Sequence, residues 1–376
     1  MIKVAIIAGE PSGDLIASQL MGHINSHNKN VKFIGVGGLL MKKQGLSSFF
    51  DYSHLSVRGY FEVIKHIPKL LFLRYSVIKY LKKEKPSIFI GVDAPDFNLN
   101  IEKKLKEYGI PTFHYVAPSV WAWRANRINE ISKCVNHLFA IFTNEPKLFN
   151  VSNTICTYVG HPLAKTIPLK PNKSLFRTKL KLKSGSKVIA LLPGSRMGEL
   201  KWHMSLMLKT ALLLNNSFKD LVFLIPVNNK PNLDFANKCL RSIPVSNLKL
   251  IIGHSGDVIN SSDFVISASG TATLESALYK KPMIITYRSS TLSYLGWKIL
   301  RLIPYIGLPN IMLKKEIVPE ILQNNATPEI LAKKTVEILS NKVYLKKLKK
   351  DYLILHKRLK RDTSQLIFKR IRKHLK

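Results

Sequence analysis

Short β-branched runs alternate with amphipathic stretches along most of the chain. Ile2–Ala8 is apolar apart from Lys3 and reads as a buried strand, Asp14–Asn28 has the spacing of a helix, and Lys32–Val36 reads as a second strand. Ser87–Val92, Pro111–Val116 and His137–Ile141 continue as strands, with Asp96–Tyr108 as a helix between the first two. From Pro162 to Lys187 the pattern lapses into Pro, Lys, Asn and Ser, the composition of a connection between domains. It then restarts. Lys187–Leu192, Leu221–Pro226, Leu248–Ile252, Asp263–Ser267 and Pro282–Tyr287 read as strands, and Lys201–Asn215 and Thr271–Tyr279 as helices. Strand–helix alternation of this kind means a parallel sheet covered on both faces. The expected fold class is therefore α/β, with two doubly wound Rossmann-like domains facing a cleft. The expected boundaries are residues 1–165, a linker at 166–186, a second domain at 187–341 and a basic helical tail at 342–376. In such sheets ligands sit beyond the carboxyl ends of the strands, so the strand-end loops are where chemistry is sought.

Composition narrows the class. The chain has 376 residues, 46% of them apolar, enough for sizeable cores and unlike a disordered chain. Its three cysteines, Cys134, Cys156 and Cys239, lie far apart, which argues against disulfide stapling and against a cysteine zinc site. The first residues run straight into a strand pattern without the apolar run and small-residue cleavage site of a secretory signal, so secretion is not expected. No uncharged stretch reaches the roughly 18 residues of a spanning helix. The net charge of +36 raises the question of a polyanionic partner: nucleic acid, an anionic membrane surface or a phosphorylated substrate. Most of the lysines lie on plainly solvated helix faces and need no partner. The tail from Lys342 to Lys376 holds 14 Lys and Arg against two Asp, yet keeps leucines at helical spacing, as a docked helix with a solvated basic face would.

Five loops carry candidate chemistry. Gly9-Glu10-Pro11-Ser12-Gly13-Asp14 follows the first strand but is neither a dinucleotide fingerprint nor a P-loop. It either brings backbone N–H groups to a ligand or simply starts a helix, with Ser12 as cap and Asp14 complementing the dipole. Asp93 and Asp96 stand just past the strand ending at Val92. Asp96 falls in the first turn of the next helix, a position with its own structural reason, whereas Asp93 stands where a general base would. Asp93 as a turn residue bonding its own backbone is the alternative. Tyr115–Arg124 concentrates Trp121 and Trp123 behind a strand, as an apolar wall for a sugar or acyl chain or as ordinary core packing. Gly194-Ser195-Arg196 frees N–H groups and supplies a forked cation suited to diphosphate oxygens, in preference to a simple Arg196–Glu199 ion pair. Ser269-Gly270-Thr271 opens a helix with small residues. Glu275, one turn on, is placed to accept two hydrogen bonds from a ribose diol or to complement the helix start. Two anion-cradling loops in one half favour a nucleoside diphosphate there.

These pieces resemble the lipid-A-disaccharide synthase family, bacterial inverting glycosyltransferases of the GT-B type. The resemblance rests on G-E-P-S-G-D at Gly9, V-D-A-P-D-F-N at Val92 and H-Y-V-A-P-S-V-W-A-W-R at His114. V-G-H-P at Val159, L-L-P-G-S-R at Leu191, S-G-T-A-T-L-E at Ser269 and L-P-N at Leu308 complete it, in the family's order and over nearly the whole chain. The second and third of these are specific to the family; P-G-S-R and S-G-T-A-T-L-E are shared more widely among GT-B enzymes. The strongly basic tail is the chief departure. The resemblance implies that UDP-2,3-diacylglucosamine donates its sugar to the 6-hydroxyl of 2,3-diacylglucosamine 1-phosphate. It implies Asp93 (with Asp96 beside it) as the base and Ser195, Gly194, Arg196, Gly270, Thr271, Glu275 and Asn310 around UDP. Glu10, Ser12, Trp121 and Trp123 would lie on the acceptor side. No cofactor and no metal are expected.

Acylated substrates put such an enzyme at a membrane surface. Tyr60–Lys85 alternates apolar residues with Lys65, Lys69, Arg74, Lys79 and Lys82, an interfacial pattern that core packing can also produce. Leu292–Ile303, with Trp297, Lys298 and Arg301, is a second such segment. The expectation is a cytoplasmic protein held peripherally on the anionic inner membrane, with a homodimer left open. Another UDP-sugar enzyme of the same fold, a lipid-linked N-acetylglucosamine transferase or an epimerase, is the rival reading. A basic nucleic-acid binder is a more distant one, since no base-stacking aromatics interleaved with Lys and Arg are evident.

Overall fold

A computed structural model describes residues 1–51, 60–118, 127–149 and 154–375, with the backbone alone at 51, 60–67, 292, 293 and 300. The chain divides into two compact units. One comprises Met1–Lys165 together with Leu359–Lys376, the other Thr166–Arg358.

The first unit is built on a seven-stranded, all-parallel sheet. Its strands are β1 (Ile2–Ala8), β2 (Val31–Gly37), β3 (Leu46–Asp51), β4 (Ile88–Val92), β5 (Thr112–Tyr115), β6 (His137–Ala140) and β7 (Ile155–Tyr158), in the order β3-β2-β1-β4-β5-β6-β7. The chain winds outward from β1 in one direction, then returns to its other side at β4. That reversal makes the crevice between β1 and β4 a topological switch point. Ala8 pairs with Val92 there, so the loops that begin at Gly9 and Asp93 leave the sheet side by side. Val4, Ile6, Ile88 and Ile90 on one face pack against Ile16, Leu20 and Ile24 of helix Pro11–His27, and Ala5, Ile7 and Phe89 on the other against Val77 and Leu81 of helix Tyr60–Glu84.

The second unit repeats the plan with six parallel strands, β8 (Lys187–Leu192), β9 (Leu221–Val227), β10 (Leu248–Ile252), β11 (Phe264–Ala268), β12 (Met283–Tyr287) and β13 (Glu320–Leu322). Their order is β10-β9-β8-β11-β12-β13, so its switch point lies between β8 and β11. The stretch before β8 is not bare connection. Lys173–Lys179 is helical, and Lys173 and Arg177 both pair with Asp263 at the foot of β11.

The basic tail is split between the units. Helix Lys342–Leu359 buries Leu348, Tyr352, Leu355 and Leu359. Helix Thr363–Ile371 belongs to the first unit, where Ile367 and Ile371 are fully buried beside Ile16, Leu20 and Ile24. His161 of V-G-H-P donates its backbone N–H to the Leu359 carbonyl (3.0 Å), so that motif seats the returning segment.

Candidate functional site

At the first switch point the loop after β1 is tighter than the sequence suggests. The helix begins at Pro11, with Glu10 in the N-cap position and no side-chain cap. Ser12 therefore lies inside the first turn and is not the cap expected of it. Asp14 stands in the first turn of its own helix, as expected, but reaches further. It is buried, and its carboxylate accepts from the N–H groups of Gly38 (2.9 Å), Leu40 (3.1 Å) and Met41 (3.1 Å), capping helix Leu39–Lys43. Proline at the first helical position explains the early start, since its fixed φ suits a helix and its missing N–H costs nothing there.

The loop after β4 is strained. Asp93 and Ala94 both have positive φ (54° and 45°), and so does Val116 (76°) on the adjoining loop after β5. Such conformations cost about 1–3 kcal/mol each in residues other than glycine and cluster where function requires them. Asp93 is held by its backbone. Its N–H donates to the Tyr115 carbonyl (2.9 Å), and its carbonyl accepts from Asn98 Nδ2 (2.8 Å). Among the described residues no donor meets its half-buried carboxylate. Asp96 differs. It is 79% exposed and paired with Arg127 Nη1 at 3.1 Å, while its carbonyl accepts from Arg74 Nη2 (2.8 Å). Of the two carboxylates, Asp93 alone is fixed by its backbone with its side chain left over. Beneath it, His114 Nδ1 and Glu102 Oε1 stand 2.8 Å apart, both fully buried. Trp121 and Trp123 lie outside the described residues.

At the second switch point, Gly194-Ser195-Arg196 runs from β8 into helix Met197–Asn215. Glu199, in the first turn of that helix, bends back over the loop. Its carboxylate accepts from the N–H groups of Ser195 (2.9 Å) and Arg196 (3.3 Å) and pairs with Arg196 Nη1 (3.1 Å). The Arg196–Glu199 pair that the sequence ranked second is thus present, which corrects the expectation of open anion donors. An internal carboxylate occupies the donors that a diphosphate would use. Only glycine suits position 194: φ is 111°, and a Cβ would stand 2.4 Å from Glu199 Cβ. His203 fixes this turn from below. As the Nδ1–H tautomer it donates to the Glu199 carbonyl (2.7 Å) and accepts from Arg288 N–H at Nε2 (2.9 Å), and burial pulls its pKa down, favouring that neutral form.

Gly270 and Thr271 are exposed at the start of helix Thr271–Leu278, which has no side-chain cap. Segment Ile306–Leu308 braces this loop. Ser269 Oγ donates to the Ile306 carbonyl (2.9 Å), and Leu308 N–H to Thr273 Oγ1 (3.3 Å). Glu275 makes no side-chain hydrogen bond among the described residues, and burial pushes its carboxyl up to about 7. An acceptor held without a donor is what a diol-binding carboxylate needs. Asn310 does not fit the role expected of it. It is fully buried and its amide is saturated: Nδ2 donates to the Val318 carbonyl and Glu320 Oε1 (both 2.8 Å), and Oδ1 accepts from Ile317 and Val318 N–H (2.8 and 3.1 Å). Its side chain has no capacity left for UDP. With Glu320, which also accepts from Ile306 and Gly307 N–H, it holds the bracing segment.

Sequence reasoning missed these supporting groups: Glu102, His114, Asn98, His203 and Glu320. Asn98 and His114 do stand in two of the family motifs; the signal for the others is a polar residue inside an otherwise apolar stripe, as with His203 in W-H-M-S-L-M.

The folds of known proteins match this plan. A UDP co-structure of MnaA from S. aureus covers 100% of this chain and 97% of its own, at 15% identity and a TM-score of 0.65. MurG from Acinetobacter baumannii covers 99% and 100%, at 15% identity and a TM-score of 0.57. At such identities the likeness is one of fold: two parallel-sheet α/β units of the GT-B type. The sequence relatives are nearer. Lipid-A-disaccharide synthase of Chromobacterium violaceum is 43% identical over 368 residues, 96% of this chain and 95% of that protein. The Haemophilus influenzae (strain 86-028NP) enzyme of the same name is 42% identical over 339 residues, 90% of this chain and 87% of its own. The sequence profile of the lipid-A-disaccharide synthetase family matches residues 4–371, which takes in both switch points and the returning tail. The chain is a member of the lipid-A-disaccharide synthetase family.

Proposed function

We infer that this chain is an inverting glycosyltransferase that joins UDP-2,3-diacylglucosamine to 2,3-diacylglucosamine 1-phosphate, giving the β-1,6-linked lipid A disaccharide 1-phosphate and UDP. The observation that carries the reading is a family match from residue 4 to residue 371, with the motif residues at two switch points. The work divides between them. Asp93 accepts the proton of the acceptor's 6-hydroxyl as its oxygen attacks the anomeric carbon from the side opposite the diphosphate. The bond from that carbon to the diphosphate oxygen breaks, and its electron pair leaves on UDP. The Arg196 guanidinium and the N–H groups that open helix Thr271–Leu278 meet the charge that develops there. Glu275 accepts from the ribose hydroxyls. Glu10 and Ser12, at the switch point with Asp93, serve the acceptor, together with Trp121 and Trp123.

Both substrates are lipids, so the enzyme is placed peripherally on the cytoplasmic face of the inner membrane; exposed apolar residues beside lysines support attachment to a membrane surface. No helix of the described residues is long and apolar enough to cross a membrane. Helix Tyr60–Glu84 docks through Val77 and Leu81, while Phe72 and Tyr75, on the same helix, are 68% and 65% exposed beside Lys69, Lys79 and Lys82. On helix Thr291–Leu300, Leu295 and Ile299 are exposed next to Lys298.

Calorimetry with UDP tests the donor half. Arg196→Ala is expected to weaken UDP binding and to slow transfer in step, because the guanidinium meets the diphosphate in ground and transition states alike. Unchanged affinity with a lowered melting temperature would reduce Arg196 to the partner of Glu199.

A further inference from the structure

The loop that carries Asp93 rests on a buried polar cluster that the reaction as written does not use. Gly91 of β4 pairs with His114 of β5. Over Gly91 lie two side chains of helix Pro95–Glu107: a Cβ there would stand 2.2 Å from Glu102 Oε1 and 3.0 Å from Asn98 Cβ. Asn98, Glu102 and His114 are all fully buried. Their partnering is incomplete: Asn98 Oδ1, Glu102 Oε2 and His114 Nε2 meet no hydrogen-bond partner among the described residues. A core that needed only packing would fill this space with apolar side chains, because buried unsatisfied polar atoms destabilise a fold.

The cluster is directed at one place. Asn98 Nδ2 holds the Asp93 carbonyl (2.8 Å), which fixes the left-handed turn carrying the carboxylate. Burial works against a charge on His114, but the Glu102 carboxylate, with Asp93 and the Val116 backbone beyond it, holds the imidazole above its ordinary pKa. Glu102 anchors the ring at 2.8 Å, and the ring belongs to β5, the strand whose Tyr115 carbonyl receives the Asp93 N–H. We propose that the Glu102–His114 pair and Asn98 are the positioning device for Asp93, holding its strained turn and its carboxylate ready for the acceptor hydroxyl. The inference rests on the reading of Asp93 as base.

A double-mutant cycle tests it, with turnover and UDP affinity measured on the full chain. His114→Gln should lower kcat by about 10- to 100-fold, the scale of a misplaced catalytic group, and leave the UDP Kd unchanged, since UDP belongs to the other unit. In an Asp93→Asn background the same change should cost less than about twofold, because the group being positioned is already gone. Glu102→Gln, which keeps an acceptor for Nδ1–H, is the second variant should His114→Gln fail to fold, and the same non-additivity is expected of it. Equal losses with and without Asp93, or a kcat that ignores both variants while Asp93→Asn abolishes turnover, would overturn the proposal and leave the base in place. Full turnover in Asp93→Asn alone would overturn the base reading, and this inference with it.

Discussion

At the scale of single residues, two carboxylates of the second unit behave in opposite ways. Glu199 is fully engaged: it caps the loop it follows and pairs with Arg196. Glu275 meets no donor among the described residues, and burial lifts its pKa from 4.5 to about 7. That gives a pH dependence with a definite sign. Two ribose hydroxyls donate best to an ionised carboxylate, so UDP affinity should rise between pH 6 and 7 by up to about tenfold per pH unit and flatten above it. Stability runs the other way. The folded state keeps a proton that the unfolded chain releases above pH 4.5, so ionising Glu275 destabilises the fold as pH rises towards 7. Glu275→Gln should flatten both profiles and raise the melting temperature at pH 8 but not at pH 4. A UDP affinity in the wild type that is flat from pH 6 to 8 would show that Glu275 does not meet the ribose.

At the scale of elements, the central strands were legible because each is a continuous apolar run bounded by turn residues. β1 and β8 fall where the pattern places them, and so does the edge strand β10, whose apolar run is broken by Lys249. The strands it overlooked have no such run: β3 (L-S-S-F-F-D) is half polar, β7 lies at a sheet edge, and β13 is three residues long. The candidate site was legible in its loops and not in its supports. A Gly-Ser-Arg turn declares itself locally, whereas the saturation of Asn310 by residues 317–320 and the reach of Asp14 to residues 38–41 depend on chain brought close only by folding. Helix Tyr60–Glu84 joins both themes. Arg74 ties it to the Asp96 carbonyl, and its exposed aromatics belong to no core cluster described. Insertion of those aromatics, with about 1 kcal/mol from each lysine near an anionic surface, should give attachment that resists salt in part and yields to detergent. Vesicle flotation of wild type against Phe72→Ser/Tyr75→Ser checks it. Loss of flotation with transfer to a detergent-dispersed acceptor intact is expected. Equal flotation would assign the binding to another surface.

At the scale of the whole molecule, the returning tail explains why the family match extends to residue 371. Ile367 and Ile371 are fully buried in the core of the first unit, and burying a side chain of that size stabilises by about 1.5–3 kcal/mol. Asp362 caps the last helix and pairs with Lys165 (2.7 Å). A chain ended at Arg358 should therefore lose hydrogen-exchange protection in β1 and helix Pro11–His27, lose transfer activity, and still bind UDP. Loss of UDP binding as well would mean that the units do not fold independently.

The reaction itself is the most direct test. Purified protein is incubated with UDP-2,3-diacylglucosamine and 2,3-diacylglucosamine 1-phosphate, and the products are read by mass spectrometry for wild type and Asp93→Asn. The account predicts UDP and the β-1,6 disaccharide 1-phosphate in equal amounts from the wild type. From Asp93→Asn it predicts a rate lower by about 10²–10⁴, the range for losing a positioned base, with UDP affinity unchanged. UDP released without disaccharide, an epimerised donor sugar, or full turnover from Asp93→Asn would contradict it.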